Sequence, residues 1–229
     1  MATSCPDWEM PVTGCSAPSE VVMEGDSKSR IRLSNEANIL RAAEHVFARA
    51  GFAGATMAEI AGRAHIPKSN LHYYFKSKKA IYRAVLANIL SLWLAQTDSI
   101  HEDNDPRTAL ADYIRAKMQL SITHPDASRV FANEVLHGAP EIGDYLREDL
   151  RQLVERKAQV IEHWIAQGKM MPVDPKYLFF TIWAATQTYA DFDTQICAVL
   201  GVQALDAQQM HKATEHLTEL LLCGCGIAH

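Results

Sequence analysis

The sequence predicts an all-α protein with about nine helices. Two observations predict this fold class: apolar residues recur at the three- and four-residue spacing of a helix in every long segment, and no segment shows the sustained alternation of a strand. Gly, Pro and capping residues separate these segments at short intervals. With 229 residues, of which 48% are hydrophobic, the chain can form one large domain or two small ones.

The N-terminal part of the chain predicts a disordered lead followed by a first helix. Residues 1–30 contain Pro, Ser, Gly and acidic residues without periodicity, which is typical of a disordered segment. Ser34 can cap a helix that ends at Gly51. The predicted inner face of this helix consists of Ile39, Ala42, Ala43, Val46 and Phe47.

Two short helices and a turn are predicted next. Thr56 and Glu59 have the spacing of a capping box at the start of the first of them, and the segment His65-Ile66-Pro67 interrupts the helical pattern. In the second helix Leu71 and Phe75 share one side, while most other side chains are polar. So short a helix cannot bury this many polar groups, so we expect it to face a polar partner. The apolar face of the first helix consists of Met57, Ile60, Ala61 and Ala64.

The rest of the chain predicts longer helices. Ser77 caps a fourth helix that runs to about residue 99. The last two predicted helices are amphipathic and predict a four-helix interface between two copies of the chain. Two short helices joined by a turn, as predicted above, form a helix-turn-helix, a motif that binds DNA weakly as a single unit. A twofold pair of these units reads two half-sites of the DNA. The helices after the fourth are predicted over residues 106–123, 126–137, 140–167, 175–200 and 207–223.

The positive charge of the chain lies in one segment. Between Lys28 and Arg83 there are eleven Lys or Arg residues against three Glu, a net charge of +8, although the whole chain carries −5. Residues 84–229 contain eleven basic and nineteen acidic residues, a net charge of −8. A basic segment that coincides with a helix-turn-helix is typical of a domain that binds a polyanion. The sequence therefore predicts double-stranded DNA as a partner.

The helix-turn-helix segment resembles the DNA-binding domain of the TetR family of bacterial transcription regulators. The resemblance rests on Thr56–Ala61, Lys68–Leu71 and Tyr73–Phe75. It implies an all-α homodimer in which residues 31–82 bind DNA and residues 83–229 bind a small effector and pair the subunits. It also implies a repressor that the effector releases from a palindromic operator.

Residues around the helix-turn-helix are candidates for DNA contact. Thr56 and Tyr74 are expected at phosphates through their hydroxyls, and Lys78 through its ammonium at the start of the fourth helix. His72 can either approach DNA or pack against the first helix, and both tyrosines have the alternative of packing between helices. The candidates for base edges open the second motif helix: Lys68, Ser69, Asn70 and Tyr73.

A second resemblance concerns the segment Ile182–Phe192, which is similar to that of regulators of pyrimidine utilisation within this family. It implies uracil or thymine as the effector and requires no cofactor. A flat ring with alternating N–H and C=O groups needs an apolar slot, a stacking face and a few convergent polar groups. Trp93 or Trp183 can provide the stacking face, and the Gln187 amide provides a donor and an acceptor. The candidate ligand contacts are Trp93, Trp183, Thr186, Gln187 and Asp191.

Other interpretations of these residues stay open. A Trp at helical spacing, such as Trp183, is also typical of a core or an interface. Asp191 can instead pair with an Arg across the dimer. A member of the same family that responds to a more hydrophobic effector is the main alternative to a pyrimidine-responsive regulator.

Several classes of protein are disfavoured. The sequence has no Gly-rich phosphate loop, HExxH or GxSxG motif, so we do not expect an enzyme. Its five cysteines are odd in number and lack the spacing of a disulfide framework or a metal site, which favours a reducing cytoplasm. No apolar run reaches the roughly 20 residues that cross a bilayer, so we expect no membrane partner.

Overall fold

The computed structural model describes residues 21–227, and every regular element in this range is helical, which confirms the predicted fold class. The described residues fall into two compact units, one up to Ala37 and one from Asn38. A 3-10 turn follows α4 and a π-helical turn joins α7 to α8. The helices are α1 Val21–Gly54, α2 Met57–Arg63, α3 Lys68–Tyr74, α4 Lys78–Leu94, α5 Pro106–Thr123, α6 Pro125–Leu136, α7 Gly143–Tyr145, α8 Arg151–Ala166, α9 Pro175–Asp191, α10 Asp193–Leu200 and α11 Ala207–Gly224.

Helix α1 is longer than the sequence predicted. It begins at Val21, so the predicted start at Ser34 is wrong. The prediction of a disordered lead over residues 1–30 falls partly on residues 1–20, which lie outside the described residues. Once nucleated, a helix extends at little cost because each added residue gains a hydrogen bond. The predicted end is confirmed, since Gly51 has the non-helical angles φ 66° and ψ 175° and bends the helix there.

One apolar core joins α1, α2, α3 and α4 to α6. The predicted inner faces are buried, and Ile39, Phe47, Ile60 and Leu71 are each at most 1% exposed. Val130 of α6 belongs to the same cluster. Each such side chain contributes about 1.5–3 kcal/mol when it is fully buried. The helix-turn-helix is therefore packed on the same core as a helix of the C-terminal part of the chain.

A second apolar core lies among α5, α8, α9 and α11. Tyr113, Trp164 and Phe179 are among its largest buried side chains. The rings of Tyr113 and Phe179 meet edge to face, with centroids 6.0 Å apart. The Ser121 hydroxyl of α5 donates to the Thr186 carbonyl of α9 at 2.8 Å. These contacts fix α5 against α9, and the two helices form one side of the cavity described below.

The helix predicted over residues 175–200 is two helices in the structure, α9 and α10. Phe192 has φ −122° and ψ 31° and separates α9 from α10. The Asp193 carboxylate accepts from the next backbone N–H at 2.8 Å, a local bond with which Asp competes against helical bonding. Arg129 of α6 donates to the Ala190 carbonyl at 3.1 Å and to the Asp193 carboxylate at 2.9 Å. These bonds stabilise the break.

Candidate DNA-binding surface and effector cavity

Helix α3 presents almost all of its polar side chains to the outside. Leu71 is fully buried and Phe75, which ends the helix, is 8% exposed. Tyr74 is half-buried against the core, with its ring edge-on to that of Tyr73 at 5.4 Å. His72 is exposed rather than packed against α1. The exposed residues of α3 include all four candidates for base edges, Lys68, Ser69, Asn70 and Tyr73.

Helix α2 begins at Thr56 with the predicted capping box. The Thr56 hydroxyl accepts from the Glu59 N–H at 3.2 Å, and the Glu59 carboxylate accepts from the Thr56 N–H at 2.9 Å. The same carboxylate accepts from the Thr56 hydroxyl at 2.9 Å. A phosphate that bonds the exposed Thr56 hydroxyl therefore competes with Glu59.

The turn between α2 and α3 is held from α1. Asn38 of α1 donates from its amide to the Ala64 carbonyl at the end of α2, at 2.8 Å. His65 has a φ of 55°, in the left-handed region. Pro67 caps α3 without a side-chain hydrogen bond, so the helix begins at Lys68 rather than at the proline. Backbone geometry and one amide therefore add to the shared apolar core in fixing the angle between the two motif helices.

Lys78 closes the end of α1. Its ammonium donates to the carbonyls of Phe52 at 2.6 Å, Ala53 at 3.2 Å and Ala55 at 2.8 Å. It also lies 4.7 Å from the centroid of the Phe52 ring. All three ammonium donors are thereby used within the protein. The predicted phosphate contact of Lys78 would have to replace one of these bonds.

Two other basic residues of α4 are paired within the chain. Glu141, in the segment between α6 and α7, accepts from Lys79 at 2.9 Å and from Arg83 at 2.6 Å. Hydrogen bonding by Lys79, followed by that of Arg83, lowers the pKa of Glu141. The positive field that DNA meets is therefore weaker than the sequence charge of the segment indicates.

A cavity of about 70 Å³ lies among α4, α5, α6, α8 and α9. Small-molecule sites commonly occupy about 300–1,000 Å³, so this cavity is small and suits a compact effector. Most of its wall is apolar, including Leu90, Val154 and Phe179. Three of the predicted ligand contacts line it: Trp93, Trp183 and Gln187.

The two indoles of the wall are held by neighbouring aromatic residues. Trp183 donates from its ring nitrogen to the Tyr113 hydroxyl at 2.7 Å. Trp93 meets Phe131 edge to face, with ring centroids 4.6 Å apart. Burial raises the pKa of Tyr113 to about 12, so this hydroxyl stays neutral at pH 7. Because its N–H is used, Trp183 offers the cavity an aromatic surface rather than a donor.

Two polar groups on the cavity wall lack partners within residues 21–227. The Tyr145 hydroxyl oxygen is buried without a hydrogen bond, and the half-buried Gln187 amide makes none with the described residues. Burial raises the pKa of Tyr145. A buried polar group without a partner costs about 1–3 kcal/mol. These groups are therefore prepared to bond a ligand.

Comparisons with known proteins agree with this geometry. A family model described as bacterial regulatory proteins, tetR family, matches residues 39–85, and one described as YcdC-like protein, C-terminal region, matches residues 86–228. The chain is 41% identical over 197 residues to the HTH-type transcriptional regulator RutR of Escherichia coli strain K12, which covers 86% of this chain and 93% of that protein. The chain belongs to the TetR family. It is a DNA-binding transcriptional regulator and, like these relatives, not an enzyme.

Solved structures share the fold of this TetR-family regulator. The transcriptional regulator SCO4942 from Streptomyces coelicolor is 25% identical with a TM-score of 0.65, covering 82% of this chain and 96% of that one. The ketosteroid transcriptional regulator KstR2 of Mycobacterium tuberculosis is 19% identical with a TM-score of 0.67, covering 82% and 93%. The second likeness shows the fold alone.

Sequence reasoning missed Lys117, which lies on the cavity wall. The residue is 5% exposed, and its ammonium lies 4.3 Å from the centroid of the Trp93 ring. Burial lowers the pKa of Lys117 to about 8, against an opposing effect of Asp191. A signal was available, because Lys117 follows Tyr113 by four residues and so stands on the apolar face of α5.

Two predicted ligand contacts do not line the cavity. Thr186 is fully buried between α5 and α9, and its hydroxyl donates to the Ile182 carbonyl of its own helix at 2.7 Å. Asp191 lies near Ser128 and Arg129, one carboxylate oxygen is buried without a hydrogen bond, and burial raises its pKa. They lie away from this cavity because α9 turns them toward α5 and α6, and their contact with an effector stays a prediction. Arg129 forms its ion pairs with Asp126 and Asp193 and acts on Asp191 only through space, so the pairing of Asp191 with an Arg across the dimer stays a prediction.

Two further properties concern only the described residues. Within residues 21–227, no three His, Cys, Asp or Glu side chains come together in an arrangement that could hold a metal ion. None of the helices in this range combines the length and apolar character needed to span a membrane.

Proposed function

We propose that this TetR-family regulator is a repressor whose effector is uracil, thymine or a related pyrimidine, bound in the cavity among α4, α5, α6, α8 and α9. The observation that carries the proposal is the position of Gln187, whose amide has no hydrogen-bond partner among the described residues and lies on an apolar wall shared with Trp93 and Trp183. The 41% identity to RutR and the resemblance of Ile182–Phe192 to regulators of pyrimidine utilisation support the same effector class.

The chemistry of the wall suits a pyrimidine ring. Uracil alternates C=O and N–H groups along one edge, and a Gln amide can bond such an edge with its oxygen and its nitrogen together. Trp183 offers a stacking face, and an aromatic pair is worth about 0.5–1.5 kcal/mol beyond the area that it buries. The Tyr145 hydroxyl adds a third polar group. A site built from such groups rejects rings that leave them unpaired.

Helix α4 links the cavity to the DNA-binding surface. Its first residue, Lys78, bonds the end of α1, and Trp93 near its other end lines the cavity. Helix α6 adds a second link, because His45 of α1 and Asp126 of α6 are 2.7 Å apart. An effector that displaces α4 or α6 changes the position of α3, so paired α3 helices lose register with their half-sites. A few kcal/mol of differential affinity is enough for this change.

The proposed mechanism requires a homodimer on a palindromic operator, acting in the cytoplasm where bacterial DNA lies. A twofold pair places one α3 in each of two half-sites about 34–36 Å apart. Several large apolar side chains of α9, α10 and α11 are exposed, which is typical of an interaction surface. Those at least 50% exposed are Tyr177, Phe180, Phe192, Val199, Leu200 and Leu220.

Operator binding with and without uracil tests the proposal. Operator DNA is selected from a random-sequence pool, and its affinity is measured by fluorescence anisotropy. We expect saturating uracil or thymine to weaken binding at least about tenfold, which is about 1.4 kcal/mol of coupling. In Gln187→Leu, which keeps the volume and loses the amide, we expect normal operator affinity and no response to uracil. An unchanged wild-type affinity at saturating uracil contradicts the proposal.

A more hydrophobic effector is the second candidate, because the greater part of the wall is apolar. Its side chains include Leu90, Leu94, Leu153, Val154 and Phe179. A thermal-shift screen of pyrimidines against apolar compounds separates the two candidates. A ligand at 100 times its Kd adds about 2.7 kcal/mol to the stability of the folded state. Stabilisation by apolar compounds alone favours the second candidate.

A further inference from the structure

We infer that Lys117 determines which effector binds. Its ammonium can donate a hydrogen bond to an oxygen on the ring, whereas an amino group in the same place would set one donor against another. The ligand class is therefore the oxo-pyrimidines as opposed to the amino-pyrimidines. This inference rests on the proposed function, since it assigns a specificity-determining residue to the same cavity.

Lys117 reaches the cavity from the buried face of α5. It shares this face with Ile114, Met118 and Ser121, which are buried as well. Although it is 5% exposed, it lines the cavity, and its nitrogen lies 4.3 Å from the centroid of the Trp93 ring. The ammonium thus covers one face of Trp93. An effector that approaches this indole meets a positive charge, and stacking is left to Trp183.

The ammonium of Lys117 has no anionic partner in direct contact. Among residues 21–227 no carboxylate lies within 4 Å of it, and its nitrogen lies over the Trp93 ring. Asp191 acts on it only through space. A lysine ammonium has three donors and no acceptor, and a buried charged donor is costly to leave unpaired. A ligand group that offers an acceptor next to Lys117 would therefore stabilise the complex.

The other polar groups of the wall either can both donate and accept a hydrogen bond or are already bonded within the protein. The Gln187 amide can present either its oxygen or its nitrogen, and the Tyr145 hydroxyl can donate or accept. Lys157 also lines the cavity, but its ammonium donates to the Ile100 carbonyl at 3.0 Å. Lys117 is thus the wall group that can only donate and lacks an acceptor within the described residues. Selection between oxygen and amino substituents falls to it.

Uracil and 2,4-diaminopyrimidine form the pair of probes that isolates this effect. The two rings have the same substitution pattern, but the first carries two exocyclic oxygens and two ring N–H groups, whereas the second carries two amino groups and two ring nitrogens that accept. Where an exocyclic group lies next to Lys117, an amino group sets donor against donor, whereas an oxygen accepts from the ammonium. We expect the wild-type protein to bind uracil about a hundredfold more tightly.

Isothermal titration calorimetry of the full chain with both probes measures the ratio of the two dissociation constants. In Lys117→Met, an unbranched apolar chain replaces the charge, and we expect uracil affinity to fall about tenfold and the ratio to drop below about tenfold. Lys117→Gln, which can donate and accept, gives the same loss of selectivity in a second variant. Lys176→Met removes the same charge at an exposed position of α9 outside the cavity lining and keeps the wild-type ratio.

The outcomes separate the inference from the proposed function. A ratio in Lys117→Met and Lys117→Gln equal to that of the wild type overturns the inference, because a purely structural lysine does not change selectivity. Equal binding of both probes by the wild type also overturns it, while the proposed pyrimidine response stands. Binding of neither probe by a folded wild-type protein overturns the proposed function, and the inference with it.

Discussion

At the scale of single residues, the burial of Lys117 has a consequence for stability. Burial lowers its pKa from 10.5 to about 8. Below pH 8 the folded and unfolded chains both hold the proton, and the folded chain bears the whole cost of the buried charge, on the order of 3 kcal/mol. Between about pH 8 and 10.5 the unfolded chain binds more protons than the folded one. The contribution of Lys117 to the free energy of unfolding therefore rises with pH across this window.

Lys117→Met removes this dependence. At pH 7 we expect the variant to be more stable than the wild type by up to roughly 3 kcal/mol, since it has no charge to bury. The difference shrinks as pH rises from 8 and is small at pH 10.5. Urea unfolding of both proteins at pH 7 and pH 10 measures it, and other titrating groups cancel in the comparison. A difference that is constant with pH contradicts the assignment.

Single residues are predictable from the sequence when their partners are close in the chain, and not when distant helices provide their surroundings. The Thr56 capping box is predictable because it depends on residues three apart in the chain. Lys117 and Tyr145 acquire their setting from five helices that meet, and no short-range pattern contains that information. The position of Thr186 next to Gln187 predicts that it contacts the ligand. In the structure the packing of α5 on α9 covers it.

At the scale of elements, Gly51 sets where α1 bends. Its φ of 66° and ψ of 175° are nearly exclusive to glycine, and a Cβ there meets nothing within 4 Å. In Gly51→Ala we therefore expect a loss of about 1–3 kcal/mol of stability from backbone strain alone, measured by urea unfolding.

Gly62 provides the matched control for Gly51. It lies within α2, and a methyl group at this position would likewise have no atom within 4 Å. Gly62→Ala is expected to stabilise the protein by about 0.5–1 kcal/mol, because alanine loses less conformational entropy in a helix. Equal effects of the two substitutions would show that the bend at Gly51 imposes no strain.

The hydrogen bonds from Lys78 of α4 to the end of α1 stabilise the contact between these two helices. Lys78→Met removes the ammonium that three carbonyls accept from, and we expect a loss of about 1.5–3 kcal/mol in the free energy of unfolding. Lys76→Met removes the same charge from an exposed neighbour, with an expected stability change within about 0.5 kcal/mol.

Operator affinity distinguishes the two lysines further. Both variants lose one positive charge near DNA, so both weaken binding and reduce its salt dependence. We expect the larger loss of affinity in Lys78→Met, since α1 and α4 also lose their connection. Equal unfolding free energies in Lys78→Met and Lys76→Met would mean that Lys78 acts only as a charge.

Helix boundaries show the limit of sequence reasoning at this scale. The start at Ser77 follows from a cap within one turn, and the structure has that bond, with the Ser77 hydroxyl accepting from the Ala80 N–H at 3.1 Å. The break at Phe192 carries no Pro or Gly. It depends on Arg129 of α6, which bonds the carbonyl of Ala190 across 61 positions of sequence, so local patterns cannot predict it.

At the scale of the whole molecule, the positive charge and the surface predicted to pair two copies lie in different parts of the chain. The basic residues concentrate around the helix-turn-helix, whereas the most exposed apolar side chains of α9, α10 and α11 lie in the acidic part. This separation suits a dimer in which one surface meets DNA and another meets the second copy. Because a twofold interface uses the same patch on both copies, one substitution changes it twice.

Val199→Glu tests the dimer. Val199 of α10 is 81% exposed, and in an interface between copies the variant would bury two carboxylates against an apolar surface, which is unfavourable unless they are paired. We expect analytical ultracentrifugation to show a monomer in place of a dimer, and operator affinity to fall at least about a hundredfold as the two half-sites bind independently.

Leu136→Glu is the matched control, because Leu136 of α6 is also 81% exposed but lies outside α9, α10 and α11. It introduces the same charge at the same exposure, so it corrects for the added repulsion between the protein and DNA. We expect it to stay dimeric and to lose little operator affinity. If Val199→Glu is also dimeric, the second copy does not bind through α10. The two α3 helices must then be paired through a different surface.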